Sequence, residues 1–123
     1  MSTTLSQQEN SARVQARRAL LERELSRWLP LLIAYEQPDK IILFGSYCTG
    51  QVGEWSDLDM VIIKTTPAAF LDRTRQVLML LKPRVGVDVL VYTPQEFEHL
   101  SRERAFLREE ILTKGKVIYE RGR

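Results

Sequence analysis

A chain of 123 residues with 44% hydrophobic and 28% charged side chains has the balance of one soluble globular domain, residues 1–123, with a modest core. Its 18 basic and 16 acidic residues leave a formal net charge of +2, too even for charge alone to argue for direct nucleic-acid binding. The single cysteine, Cys48, excludes an internal disulfide and a cysteine-cluster metal site, and the absence of a signal-like or membrane-length apolar run makes a cytoplasmic location the expectation.

Residues 1–9 are polar and are expected to fray. From about Asn10 a helix is predicted, because Val14, Leu21, Leu25, Trp28 and Leu32 recur at helical spacing and form one apolar stripe. Arg13, Arg17, Arg18, Arg23 and Arg27 lie off that stripe and read as a solvated basic face partly paired with Glu22 and Glu24. Pro30 either kinks this helix or opens a second one, and Gln37-Pro38-Asp39 leads out of it.

Ile41–Phe44 is a short apolar run stopped by Gly45, the pattern of a buried strand ending in a tight turn. Gly45-Ser46 puts no bulky side chain where backbone must approach another group closely. Gly50 and Gly53 punctuate a polar loop, in which Cys48 reads as a small loop residue and Trp55 as either an exposed contact or a side chain packed under its own loop.

A second strand is predicted through Asp57-Leu58-Asp59-Met60-Val61-Ile62-Ile63. Residues two apart share a strand face, so Asp57 and Asp59 are expected to project side by side ahead of Val61 and Ile63. Their mutual repulsion calls for a counter-charge, and a hard divalent cation such as Mg²⁺ suits carboxylate oxygens supplemented by phosphate and water. The backbone N–H groups and hydroxyl of the Gly45-Ser46 turn are suited to hold that phosphate.

Thr66-Pro67 resembles a helix start, and Phe70, Thr74, Val77, Leu78 and Leu81 supply the buried side of the helix that follows. Val85 to Tyr92 alternates as a third strand, with the valines on one face and Gly86, Asp88, Leu90 and Tyr92 on the other. A carboxylate among valines is costly unless paired or metal-bound, which singles out Asp88. Thr93-Pro94-Gln95-Glu96 is a capping box, followed by apolar positions of two short helices or one broken helix. His99, the only histidine, reads as a surface residue. Gly115 then ends the last helix before a short closing strand, Lys116–Tyr119.

Gly45-Ser46, ten intervening residues and Asp57-Leu58-Asp59 together resemble the signature of the polymerase-β-like nucleotidyltransferase superfamily, most of all its minimal nucleotidyltransferase (MNT) domains. The resemblance implies an α/β fold with a small mixed sheet and flanking helices. It implies that Gly45 and Ser46 hold the triphosphate of ATP, and that Asp57, Asp59 and Asp88 bind Mg²⁺ and carry nucleotidyl transfer. Many members carry arginine where this chain has Thr49, so a basic residue is missing there.

Minimal members commonly act as antitoxins beside an all-helical HEPN-domain toxin, and some transfer AMP to a tyrosine of that partner. The resemblance therefore implies a protein adenylyltransferase of this kind; homo- and hetero-oligomeric states both stay open. Two other readings stay open: an inactive domain that neutralises its partner by contact, and an aminoglycoside-type transferase acting on a small molecule.

Overall fold

In the computed structural model, which describes residues 3–122, the N-terminal apolar stripe folds as one long helix, α1 (Thr3–Glu36). It starts at Thr3 rather than near Asn10; Met1 and Ser2, part of the segment expected to fray, lie outside the described residues. Pro30 opens no second helix. It sits inside α1 on the exposed side, where the carbonyl it leaves without a donor can be met by water.

Four strands form one mixed sheet: β1 (Lys40–Phe44), β2 (Leu58–Ile63), β3 (Val87–Tyr92) and β4 (Lys116–Glu120), in the order β3-β2-β1-β4. The β2–β3 pair is parallel, joined through α3 (Phe70–Leu81), while β1 pairs antiparallel with both β2 and β4. A short helix, α2 (Ser46–Thr49), follows β1, and α4 (Pro94–Glu103) and a π-helix (Leu107–Thr113) lie between β3 and β4. This is the α/β fold with a small mixed sheet and flanking helices expected from the sequence.

Strand alternation sorts the apolar side chains into two cores. Ile41, Leu43, Leu58, Met60, Ile62, Val89 and Val91 face α1 and α3, where Leu21, Trp28, Leu32, Val77 and Leu81 cover them. Ile42, Phe44, Val61 and Ile63 face the opposite way and are covered by Phe97, Leu107 and Ile111. Side chains burying about 1.5–3 kcal/mol each on both faces of a sheet explain why these strands read as nearly continuous apolar runs.

Two polar clamps tie the first layer together. Buried Glu24 accepts from Arg27 Nε at 2.8 Å and from the Arg84 backbone N–H at 2.6 Å, and Arg27 donates to the Leu81 and Lys82 carbonyls at the end of α3. The Arg27 guanidinium holds the Glu24 carboxyl below the usual carboxylate range. Arg73, also buried, donates to Glu96 Oε1 at 2.6 Å and to the Val91 carbonyl at 3.1 Å, joining α3 to the start of α4. Arg27 therefore belongs to the packing rather than to a solvated face.

Local signals fared unevenly. The Thr93 box is present, Thr93 Oγ1 accepting from the Glu96 N–H at 3.2 Å and Glu96 Oε1 from the Thr93 N–H at 2.8 Å. Thr66-Pro67 does not start α3: Thr66 Oγ1 accepts from the Ala68 N–H in a turn, and the helix begins at Phe70 with Ala69 as its cap. No helix among the described residues is long and apolar enough to cross a membrane.

Loss of the Thr93 hydroxyl removes half of the reciprocal cap and leaves a helix N–H without its partner. Thr93→Ala is expected to lower stability by about 1 kcal/mol, read as a reduced urea midpoint at unchanged slope. An unshifted midpoint would show that the box adds nothing to this fold.

Candidate active site

Strand register assembles the site. In the parallel β2–β3 pair Asp59 stands opposite Asp88, and in the antiparallel β1–β2 pair it stands opposite Phe44, so the three form one row across the sheet. Gly45 and Ser46 follow Phe44 directly, placing the glycine turn at the end of that row. Asp59 and Asp88 lie on the face that Val61, Ile63, Leu90 and Tyr92 share, beyond the point where α4 and the π-helix cover it. An open cleft of about 510 Å³ lies here, lined by Phe44, Asp59, Asp88, Leu90 and Phe106 and, around the outer edge of β3, by Thr74, Leu78, Val87 and Val89.

Gly45 is required here. Its φ is +80°, and a Cβ at this position would stand 2.2 Å from Asp59 Oδ2. The carboxylate thus occupies the space that the missing side chain leaves. Beyond it α2 begins at Ser46, and the first N–H groups of a helix have no intrahelical acceptor. The Ser46 hydroxyl lies 3.2 Å from Ser56 Oγ, which itself accepts from the Gly53 N–H at 2.7 Å. Thr49 is exposed, its hydroxyl turned back to the Ser46 carbonyl.

Asp57 is placed differently from Asp59. It precedes β2, whereas Asp59 lies within the strand and stands opposite Asp88 in the β2–β3 register. Asp57 Oδ1 accepts from Arg17 Nη2 at 3.1 Å, and the carboxylate lies over Gly86, where an added Cβ would approach within 2.6 Å. Among the described residues no group of three acidic, histidine or cysteine side chains is arranged to hold a metal ion. The adjacent pair Asp59–Asp88 nevertheless suits a cation such as Mg²⁺, which uses one or two carboxylates and completes its shell with water and phosphate.

Burial falls on a different acid from the one the sequence pattern singled out. Asp88 is exposed at its strand's start, whereas Asp59 is half-buried. Burial, followed by a hydrogen bond with Asp88 and repulsion from Asp88 and Asp57, raises the Asp59 carboxyl from 3.8 to about 6. Two acids of which one holds its proton up to about pH 6 are a set of donors short of positive charge, which is the condition a divalent cation relieves.

Arg17 is the site residue that the sequence pattern missed. It was grouped with the solvated arginines of α1, and no local signal separates it from Arg18 or Arg23. Cys48 is half-buried and burial pushes its thiol pKa up, away from the reactivity of a nucleophile. Trp55 is 80% exposed, so it does not pack under its own loop. His99 is a surface residue of α4.

Residues 29–123 match the family described as polymerase beta, nucleotidyltransferase. Among solved structures, the chain resembles a candidate nucleotidyltransferase from Sulfolobus solfataricus at 16% identity and a TM-score of 0.48, covering 88% of this chain and 80% of that one. No curated protein matches the chain.

The raised Asp59 pKa sets a pH dependence. Folded protein holds a proton that the unfolded chain has already released between pH 3.8 and about 6, so this carboxyl lowers stability progressively as pH rises through that window. Asp59→Asn is expected to raise the melting temperature above about pH 6 and to have little effect below about pH 4. Mg²⁺ is expected to stabilise wild-type protein more at about pH 8 than at about pH 5, because the cation competes with the proton. Equal Mg²⁺ shifts at both pH values would remove the acid pair as its site. Gly45→Ala is expected to lower the melting temperature and weaken the same Mg²⁺ shift, since the new methyl must displace Asp59; an unaltered Mg²⁺ shift would contradict the close packing.

Proposed function

Because the chain belongs to the polymerase beta nucleotidyltransferase family, we propose that it transfers AMP from ATP to a hydroxyl of a protein partner, with Mg²⁺ as cofactor. The observation that carries this reading is the Asp59–Asp88 pair set across from each other at the Gly45 turn, with the Asp59 carboxyl raised to about 6.

In this reading Asp59 and Asp88 hold the cation, with Asp57 close enough to add its charge to theirs. A bound Mg²⁺ supplies charge stabilisation at the phosphates and lowers the pKa of an oxygen it contacts. The Ser46 hydroxyl and the free N–H groups that open α2 receive the triphosphate. The acceptor oxygen forms its bond to the α-phosphorus while the bond from that phosphorus to the bridging oxygen of the β-phosphate breaks. Asp88, the exposed acid, takes the acceptor's proton, and pyrophosphate leaves. The chain's contribution is to place two anionic groups and a phosphate cradle at one point before reaction.

A protein acceptor accords with the shape of the site. The cleft is open, whereas pockets that select small molecules enclose most of the ligand. Trp55, two residues before Asp57 and 80% exposed, is the anchor for such a partner. Following the family resemblance, the partner is a HEPN-type toxin, the acceptor a tyrosine, and this chain the antitoxin. One observation favours the alternative of neutralisation by contact without transfer. Asp57 is paired with Arg17, and no three ligands converge among the described residues.

Co-expression with a helical neighbour-gene product, followed by intact-mass measurement, separates the two. Transfer is expected to add AMP mass to the partner, and Asp59→Asn or Asp88→Asn is expected to reduce it by about a hundredfold or more. A stable complex with no mass added, under conditions where Mg²⁺ and ATP are present, would replace transfer with neutralisation by contact.

A further inference from the structure

Arg17 lies on α1 outside the span that matches the nucleotidyltransferase family, yet its side chain ends in the site. Its Nε donates to the Ser56 carbonyl at 2.7 Å and its Nη2 to Asp57 Oδ1 at 3.1 Å. Only 18% of the Arg17 side chain is exposed, although Asp57 itself is 56% exposed. The guanidinium therefore reaches this segment from beneath, bracing backbone and side chain of adjacent residues with one rigid fork. A planar group with fixed donor directions suits that two-point contact, and a lysine ammonium, with a single charged atom, does not reproduce it.

The braced segment matters because three features of the site depend on it. Ser56 Oγ lies against the Ser46 hydroxyl and receives the Gly53 N–H. Asp57 rests over Gly86, whose carbonyl accepts from the Leu58 N–H at 3.1 Å and so begins the β2–β3 pairing. Asp59, one residue further along β2, is opposite Asp88. Repulsion from Asp57 is among the causes that raise Asp59, so the two carboxylates act on each other. Arg17 is the cation that pairs with Asp57 against that repulsion.

We propose that Arg17 is a positioning residue: its two-point contact fixes the Ser56–Asp57 segment, and through it the alignment of Asp57 and Ser46 with the Asp59–Asp88 pair. The helical segment before residue 29 is thereby part of the site and not only part of the core. The inference rests on the nucleotide-binding reading above for its functional consequence, but its structural half does not need that reading.

Two measurements on the full chain test it. Amide hydrogen exchange of the free protein reads the brace directly. Arg17→Ala is expected to speed exchange at Leu58 by about tenfold, the equivalent of one lost charge-assisted contact, while the core amides of β1 keep their rates. Calorimetric titration with Mg²⁺ and ATP reads the consequence. Arg17→Ala is expected to weaken binding about tenfold, Arg17→Lys to recover less than half of that loss, and Arg17→Ala to add less than about twofold when Asp57→Asn is already present. Unchanged Leu58 exchange overturns the proposal whatever the nucleotide does. So does Arg17→Ala binding with wild-type affinity once folded, which would mark Arg17 as merely a surface ion pair, and so does full recovery by lysine, which would reduce its part to charge. Wild-type protein that binds no nucleotide defeats the functional reading instead, and the exchange result then still decides whether Arg17 braces the segment.

Discussion

Parallel pairing of β2 with β3 sets Asp59 and Asp88 opposite each other, and the rest of the molecule is arranged around tolerating that juxtaposition. Two like charges on neighbouring strands repel, and here the nearer one to the core responds by holding its proton up to about pH 6. The surrounding sheet cannot relax to separate them, because Met60, Ile62, Val89 and Val91, on the same strands, are locked under α1 and α3. Packing on one face thus holds a strained electrostatic arrangement on the other. The absence of a side chain at Gly45 completes the arrangement, since Asp59 fills the space a methyl would take.

Helix α1 does three separate things along its length. Leu21, Trp28 and Leu32 bury the inner face of the sheet. Glu24 and Arg27 bind the end of α3 and the loop after it, satisfying carbonyls that a helix terminus leaves open. Arg17 reaches the segment at the start of β2. All three contacts come from one rigid rod, so the core, the β2–β3 crossover and the site are positioned by the same element. Asp57, which precedes β2, is accordingly paired with a residue of α1.

The opposite face is covered less completely. Phe97, Leu107 and Ile111 shield Ile42, Phe44, Val61 and Ile63, but the covering stops short of Asp59 and Asp88. That difference between the faces leaves the acid pair uncovered.

Much of this was written locally in the chain. Alternation at Val85–Tyr92 assigned each side chain of β3 to its face, because a strand's period of two is fixed by backbone geometry. The Thr93 capping box was legible because its partners are three residues apart. The spacing from Gly45-Ser46 to Asp57-Leu58-Asp59 marked the site and, by resemblance, the family. What the sequence could not give depended on contacts far apart along the chain. That Asp88 stands opposite Asp59 was decided by the register of β2 with β3, which the packing of two helices sets. Arg17 and Arg27 looked the same as the other arginines of α1, since nothing near them in sequence distinguishes a side chain that meets residues about forty or fifty positions away from one that meets water. Thr66-Pro67 had the residues of a helix start, but the loop closes on itself and α3 begins where Phe70 can reach Tyr92. Local chemistry therefore determined the elements and the inventory of the site, and tertiary structure decided which acid is buried, which acid is paired, and which arginine holds it, because each of those is an energy between residues that only folding brings together.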